Sequence, residues 1–192
     1  MNYKKLILNY SNLLNSLIEN SNFSNIEILY KALDMRFSNN GRVFLAGNGG
    51  SAAIASHATT DLSKISRPKD KLNAICLNEN IPLLTATAND FGYEHIYTEI
   101  VKNYKINNSD MLIVISSSGN SENINNLIKY FDNKNIETFS LTGFDGGSVL
   151  KKSKYSIHIN SPANYYGPVE DIHMMIFHIY AHLVKQDIKE IQ

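Results

Sequence analysis

Cysteine is nearly missing from this chain of 192 residues: Cys76 is the only one, so no intrachain disulfide can form. That fits a reducing compartment. An excess of either charge is also missing, because 18 Lys and Arg balance 18 Asp and Glu. Generic binding to nucleic acid or to a membrane surface normally needs a basic excess, so neither partner is expected. Long hydrophobic runs are absent as well. The opening MNYKKLILNYSNLL is interrupted at Asn9, Tyr10, Ser11 and Asn12, which excludes a signal-peptide core or a membrane span there and places the chain in the cytoplasm. There is no linker, repeat or low-complexity tract. At this length one domain buries roughly 70% of its unfolded surface and needs no disulfide or structural metal to hold it.

What is present is a regular alternation. Leu6, Tyr10, Leu13, Leu14, Leu17 and Ile18 recur at helical spacing over residues 2–20, and Ile28, Leu29, Ala32 and Leu33 over 25–37, after a capping Ser24. Asn39-Asn40-Gly41 stops the second helix. From there short apolar strands (42–47, 72–77, 111–116, 137–143, 155–160) alternate with helices (51–64, 82–88, 121–131, 147–152, 168–185). The pattern predicts an α/β fold, a five-stranded parallel sheet flanked by helices in the flavodoxin-like manner, with residues 1–40 as added N-terminal helices. Those helices carry more apolar surface than one sheet needs, which suits pairing between copies of the chain.

Two strand ends carry anion-binding chemistry. In LAGNGGSAA, Gly49 and Gly50 let the backbone turn sharply, and Ser51 with the first helical N–H groups would face an anion. The pattern is neither G-x-G-x-x-G nor a Walker A loop. In VISSSGNSEN, Ser116, Ser117, Ser118 and Ser121 converge at a helix start. One serine suffices for an N-cap, so four suggest that neutral donors hold a phosphate. Both turns lie at carboxyl ends of parallel strands, where open α/β sheets bind ligands. Downstream, His57 and Asp61 stand four apart on one helical face; spacing alone equally fits a solvated surface pair.

GNGGSAA and ISSSGNS, together with TATANDFGY and LTGFDGGSV, taken in order, resemble the SIS phosphosugar isomerase and binding family, and within it the sedoheptulose-7-phosphate (phosphoheptose) isomerases. The resemblance covers essentially the whole chain, 1–192, as a single SIS domain. It implies an aldose–ketose isomerase that converts sedoheptulose 7-phosphate to D-glycero-D-manno-heptose 7-phosphate, towards nucleotide-activated heptose for lipopolysaccharide, capsule or glycoprotein. It also implies a homotetramer with shared active sites and a divalent metal, zinc above all. Position by position it implies that Ser116, Ser117, Ser118 and Ser121 bind phosphate, and that Asn48, Gly49, Gly50, Asn89 and Asp90 contact substrate. His57, Asp61, Glu170 and His178 would hold the metal, with Asp61, His178 and Glu170 catalytic and Glu170 also touching substrate. Two positions depart from the family: Asp61 stands where it has a glutamate, and Glu170 where it has a glutamine. An arginine expected before position 170 is replaced by Pro168-Val169. Together the changes suggest that Glu170 shares the base role with the shorter Asp61.

Spacing on the last helix leaves alternatives. Glu170 and His178 are eight residues apart, about 12 Å along the axis, whereas Asp171 with His178, or His178 with His182, share a face better. His95 and His158 read as structural, and His173 as a helix histidine of no special role. A phosphosugar sensor or protein-binding SIS tetramer without catalysis, and an isomerase of another phosphorylated ketose, are the competing functions.

Overall fold

The computed structural model describes residues 1–67 and 70–185. Two helices, α1 (Tyr3–Glu19) and α2 (Ile26–Asn39), precede β1 (Arg42–Gly47), α3 (Gly50–Lys64), the short strands β2 (Ser66–Arg67) and β3 (Asp70–Lys71), and β4 (Asn73–Cys76). Then come α4 (Ile81–Phe91), a 3-10 turn (Tyr93–His95), α5 (Ile96–Lys102), β5 (Met111–Ser116), α6 (Glu122–Asp132), β6 (Glu137–Phe144), α7 (Gly147–Lys152), β7 (Tyr155–Asn160) and α8 (Tyr166–Lys185).

The five long strands form one parallel sheet in the order β4-β1-β5-β6-β7, as the alternation predicts. Period-two alternation sends Val43 and Leu45 to one face of β1 and Phe44 and Ala46 to the other. The first pair joins Leu33, Phe37, Ala58, Leu62, Ile176 and Phe177 in a core under α2, α3 and α8. The second joins Tyr97, Ile100, Ile124, Leu127 and Phe131 under α5 and α6. Because both faces are covered, the central strands are apolar at almost every position. The chain leaves β1 for β4 at one edge and then crosses back to β5 on β1's other side. That reversal puts a topological switch point between β1 and β5, where the strand tips Gly47 and Ile115 are register partners.

Several expectations are corrected. Ser24 does not cap α2: Asn25 holds that place without a side-chain bond, and the Ser24 N–H donates to Asn22 Oδ1 at 2.8 Å. The fourth helix runs longer than 82–88 because Asn80 caps it, accepting from the Leu83 N–H at 3.0 Å, and because it continues to Gly92, whose φ of 88° ends it. The periodicity also misses α5 and the β2–β3 pair. α5 is a seven-residue piece without a side-chain cap, and β2–β3 is a ladder of two residue pairs.

His173 is fully buried beneath β6 and its ring Nε2 lies 3.2 Å from the Thr142 carbonyl. Burial is the main reason its pKa falls to about 4; the Thr142 carbonyl opposes the shift and His158 adds to it. The folded state therefore keeps His173 neutral while the unfolded chain protonates below the ordinary histidine value. Stability is full above pH 6.5 and falls as pH drops toward 4, by up to about 3 kcal/mol from this group. Urea midpoints at pH 7 and pH 5 are expected to show the fall, and His173→Gln is expected to shrink it. An undiminished fall in the variant would place the acid sensitivity elsewhere.

Candidate active site

The GNGGS turn is built by Gly49, whose φ of 55° and ψ of −125° suit glycine alone. The first rungs of α3 start at Ala52, whose N–H reaches Gly49 O at 3.0 Å, so the N–H groups of Gly50 and Ser51 precede the ladder. Gly50 also lets another group come close: a Cβ there would sit 2.3 Å from Glu170 Oε2. The serine turn stands beside it. Ser121 occupies the N-cap of α6, yet its side chain makes no capping bond. Ser117 is 3% exposed and its buried hydroxyl has no hydrogen-bond partner among the described residues. A buried orphan hydroxyl is costly, so these hydroxyls are held ready for something other than the helix.

The two turns enclose a cavity of about 260 Å³. Asn48, Gly49, Gly50, Ser51, Ser116, Ser117, Ser118, Ser121 and Glu170 all line it, and so does Tyr166. Tyr166, whose ring meets Phe144 edge-on at 4.9 Å, was missed by sequence reasoning; its only signal is its place just before Pro168 at the start of α8. Asn89 and Asp90 do not reach this cavity. They sit exposed at the end of α4, where Asn89 Nδ2 donates to Asp90 Oδ1 at 3.0 Å. A larger recess of about 570 Å³ lies at the amino ends of the strands, where Arg36 and Glu137 pair at 3.1 Å.

The LTGFDGGSV segment supports the serine turn from below. Val149 N–H donates to Gly119 O at 2.9 Å and Gly143 N–H to Ser117 O at 3.0 Å. Gly119 has a φ of 63°, and a Cβ there would lie 1.9 Å from the Gly146 carbonyl oxygen.

Farther along α3 and α8 lies a second group. His57 Nε2 is 3.2 Å from Asp61 Oδ2 and 3.1 Å from His178 Nε2, and His178 Nε2 is 3.7 Å from the same carboxylate. One ligand atom from each falls within 4.8 Å of the others. Two imidazoles and a carboxylate are a donor set of the kind that binds zinc. Glu170 is not in this group; its carboxylate is in the cavity at Gly50. Burial, and then the neighbouring Asp171, raise the pKa of Glu170. His182, the alternative partner at i+4 from His178, lines the small recess over the triad without joining it. His158 Nδ1 is 3.0 Å from Thr142 Oγ1, and His95 lies 3.9 Å from Glu94, both away from the triad. Ser51 and His57 are six residues apart, so cavity and triad are about 9 Å apart along α3.

Residues 7–143 match the SIS domain family. The chain is 32% identical over 192 residues to a phosphoheptose isomerase of Chlorobium limicola, covering 96% of this chain and 88% of that protein. It is 34% identical over 149 residues to a phosphoheptose isomerase of Helicobacter pylori, covering 77% and 76%. The solved phosphoheptose isomerase of Francisella tularensis superposes with a TM-score of 0.83 at 27% identity, over 97% of this chain and all of that one.

Proposed function

We infer, from the premise that this chain belongs to the phosphoheptose isomerases of the SIS-domain family, that it interconverts sedoheptulose 7-phosphate and D-glycero-D-manno-heptose 7-phosphate. The observation that carries the placement of substrate is the buried Ser117 hydroxyl, partnerless among the described residues, with the Ser121 hydroxyl that caps no helix, facing the α3 N-terminus across one cavity. Hydroxyls and free amides grip the phosphate there without any lysine or arginine. The sugar then runs along α3 toward the triad.

At the far end the reaction moves protons between C1 and C2. The Asp61 carboxylate takes a proton from C1 of the ketose while the C2 carbonyl oxygen gains one, giving the enediol. Loss of the O1 proton and return of a proton to C2 gives the aldose. His178 moves the proton between the two oxygens. His57, 3.2 Å from Asp61, orients that carboxylate. His57, Asp61 and His178 would hold a zinc ion, which when bound supplies Lewis-acid polarisation of the carbonyl oxygen. Glu170, in the cavity and less acidic than usual, serves the sugar hydroxyls between phosphate and triad.

The active form we propose is a homotetramer in the cytoplasm, with residues 1–40 of the single 1–192 domain contributing to assembly. Exposed Tyr3 and Ile7 on α1 and Ile81 and Phe91 on α4 support that assembly; Asn89 and Asp90, beside Phe91, would then serve a neighbouring copy's cavity. No helix among the described residues is long and apolar enough to cross a membrane. The product is of the kind that feeds nucleotide-activated heptose.

An NMR assay of sedoheptulose 7-phosphate with purified protein tests the activity. An aldose phosphate signal is expected, lost on chelation and restored by zinc. Binding without conversion would instead support a phosphosugar sensor.

A further inference from the structure

The Asn48 side chain is held from three sides. Its Nδ2 donates to Asn123 Oδ1 at 2.9 Å, and Asn123 Nδ2 donates back to Asn48 Oδ1 at 3.0 Å. The hydroxyls of Tyr93 and Tyr97 each stand 3.0 Å from the same Oδ1. A carbonyl oxygen has two lone pairs, so one of three donors must go elsewhere. Tyr97 does: its closer acceptor is the Gly47 carbonyl, and its oxygen takes a bond from Asn78 Nδ2 at 2.6 Å. Asn123 and Tyr93 are left to fill Asn48 Oδ1. Asn123 is 1% exposed and its own Oδ1 also accepts from the Ile124 N–H at 2.9 Å, so it is a fixed part of α6.

We propose that Asn123 and Tyr93 are positioning residues that lock Asn48 between the two strand-tip turns and so set their separation. The inference rests on the reading of the cavity as a phosphate site. Two weak anion turns grip one phosphate only while their spacing is fixed, and small displacements forfeit binding. Asn48 closes its carbonyl in this lock, and the first turn meets the ligand with backbone N–H groups.

The test uses the full chain, as wild type, Tyr93→Phe, Asn48→Ala, Asn123→Ala and the double Asn48→Ala/Asn123→Ala. KM and kcat are measured with sedoheptulose 7-phosphate, and protection against thermal unfolding with inorganic phosphate. Tyr93 is 55% exposed, so Tyr93→Phe removes one hydroxyl and is expected to leave the unprotected midpoint within about 1 °C. It is expected to raise KM about fivefold with kcat within about twofold, and to weaken phosphate protection. The double variant is expected to be no worse than the poorer single one, because both remove the same lock. Unchanged KM and protection in Tyr93→Phe, or effects of the two asparagine changes that multiply as independent ligand contacts do, would overturn the proposal. If Asn123→Ala does not fold, Tyr93→Phe decides. If the wild type turns nothing over, the isomerase reading fails, and phosphate protection still reports on the lock.

Discussion

Asp61→Asn is expected to lower kcat by about three orders of magnitude while KM changes little. The amide keeps the volume of the carboxylate, so packing along α3 is preserved, but it cannot accept the C1 proton. It also withdraws the negative charge that stands 3.2 Å from His57 and 3.7 Å from His178. The group is half-exposed, and exposed pairs of this kind add little to stability, so the loss should appear in turnover at a nearly unchanged melting temperature. Asp61→Glu restores the carboxylate with one more methylene and is expected to stay active. Steady-state kinetics on the three proteins check this. Activity of Asp61→Asn within tenfold of wild type would remove Asp61 from the base role.

Gly119→Ala is expected to do the most damage to the fold among the cradle positions. The added Cβ would have to occupy a φ of 63° and lie 1.9 Å from a backbone oxygen, that of Gly146. No side chain can swing away to relieve it, so the serine turn and the FDGG segment must separate, breaking the Val149–Gly119 bond. Strain plus the lost contacts put the cost at about 3 kcal/mol or more, a fall in melting temperature of about 10 °C at this chain length. Phosphate protection should vanish with it. Gly49→Ala is the control: its φ is also positive, at 55°, but nothing lies within 4 Å of the new Cβ, so only local strain is added. Calorimetry of both variants checks the order; equal losses would show that backbone strain alone, and not the support beneath the serines, governs the turn.

Much of this fold is legible in sequence because buried parallel strands are short apolar runs between turn residues. Residues 42–47, 111–116 and 155–160 are strands with the bounds the sequence predicts, and helix 147–152 likewise. α5 is not legible, because its seven residues carry no side-chain cap or stop signal and are fixed by burial of Ile96, Tyr97, Ile100 and Val101 against the sheet. The two turns that line the cavity are legible as residue types, glycines and surplus serines. Their joining is not: the Asn48–Asn123 pair spans 75 positions and exists only because β1 and β5 are neighbours across the switch point. For the metal set, helical spacing and family resemblance disagree over Glu170. Eight residues along α8 separate it from His178, and the fold places its carboxylate in the cavity instead of beside His57 and Asp61.

The claim on which the account turns is that phosphate sits among the strand-tip serines while the sugar's first two carbons reach the His57–Asp61–His178 group. A crystal structure of the protein soaked with sedoheptulose 7-phosphate measures this directly. The account predicts phosphate density within hydrogen-bond reach of the Ser117 and Ser121 hydroxyls and the α3 N-terminus, with C1 and C2 toward Asp61. Phosphate bound at the triad, or outside the cavity between the two turns, would contradict it.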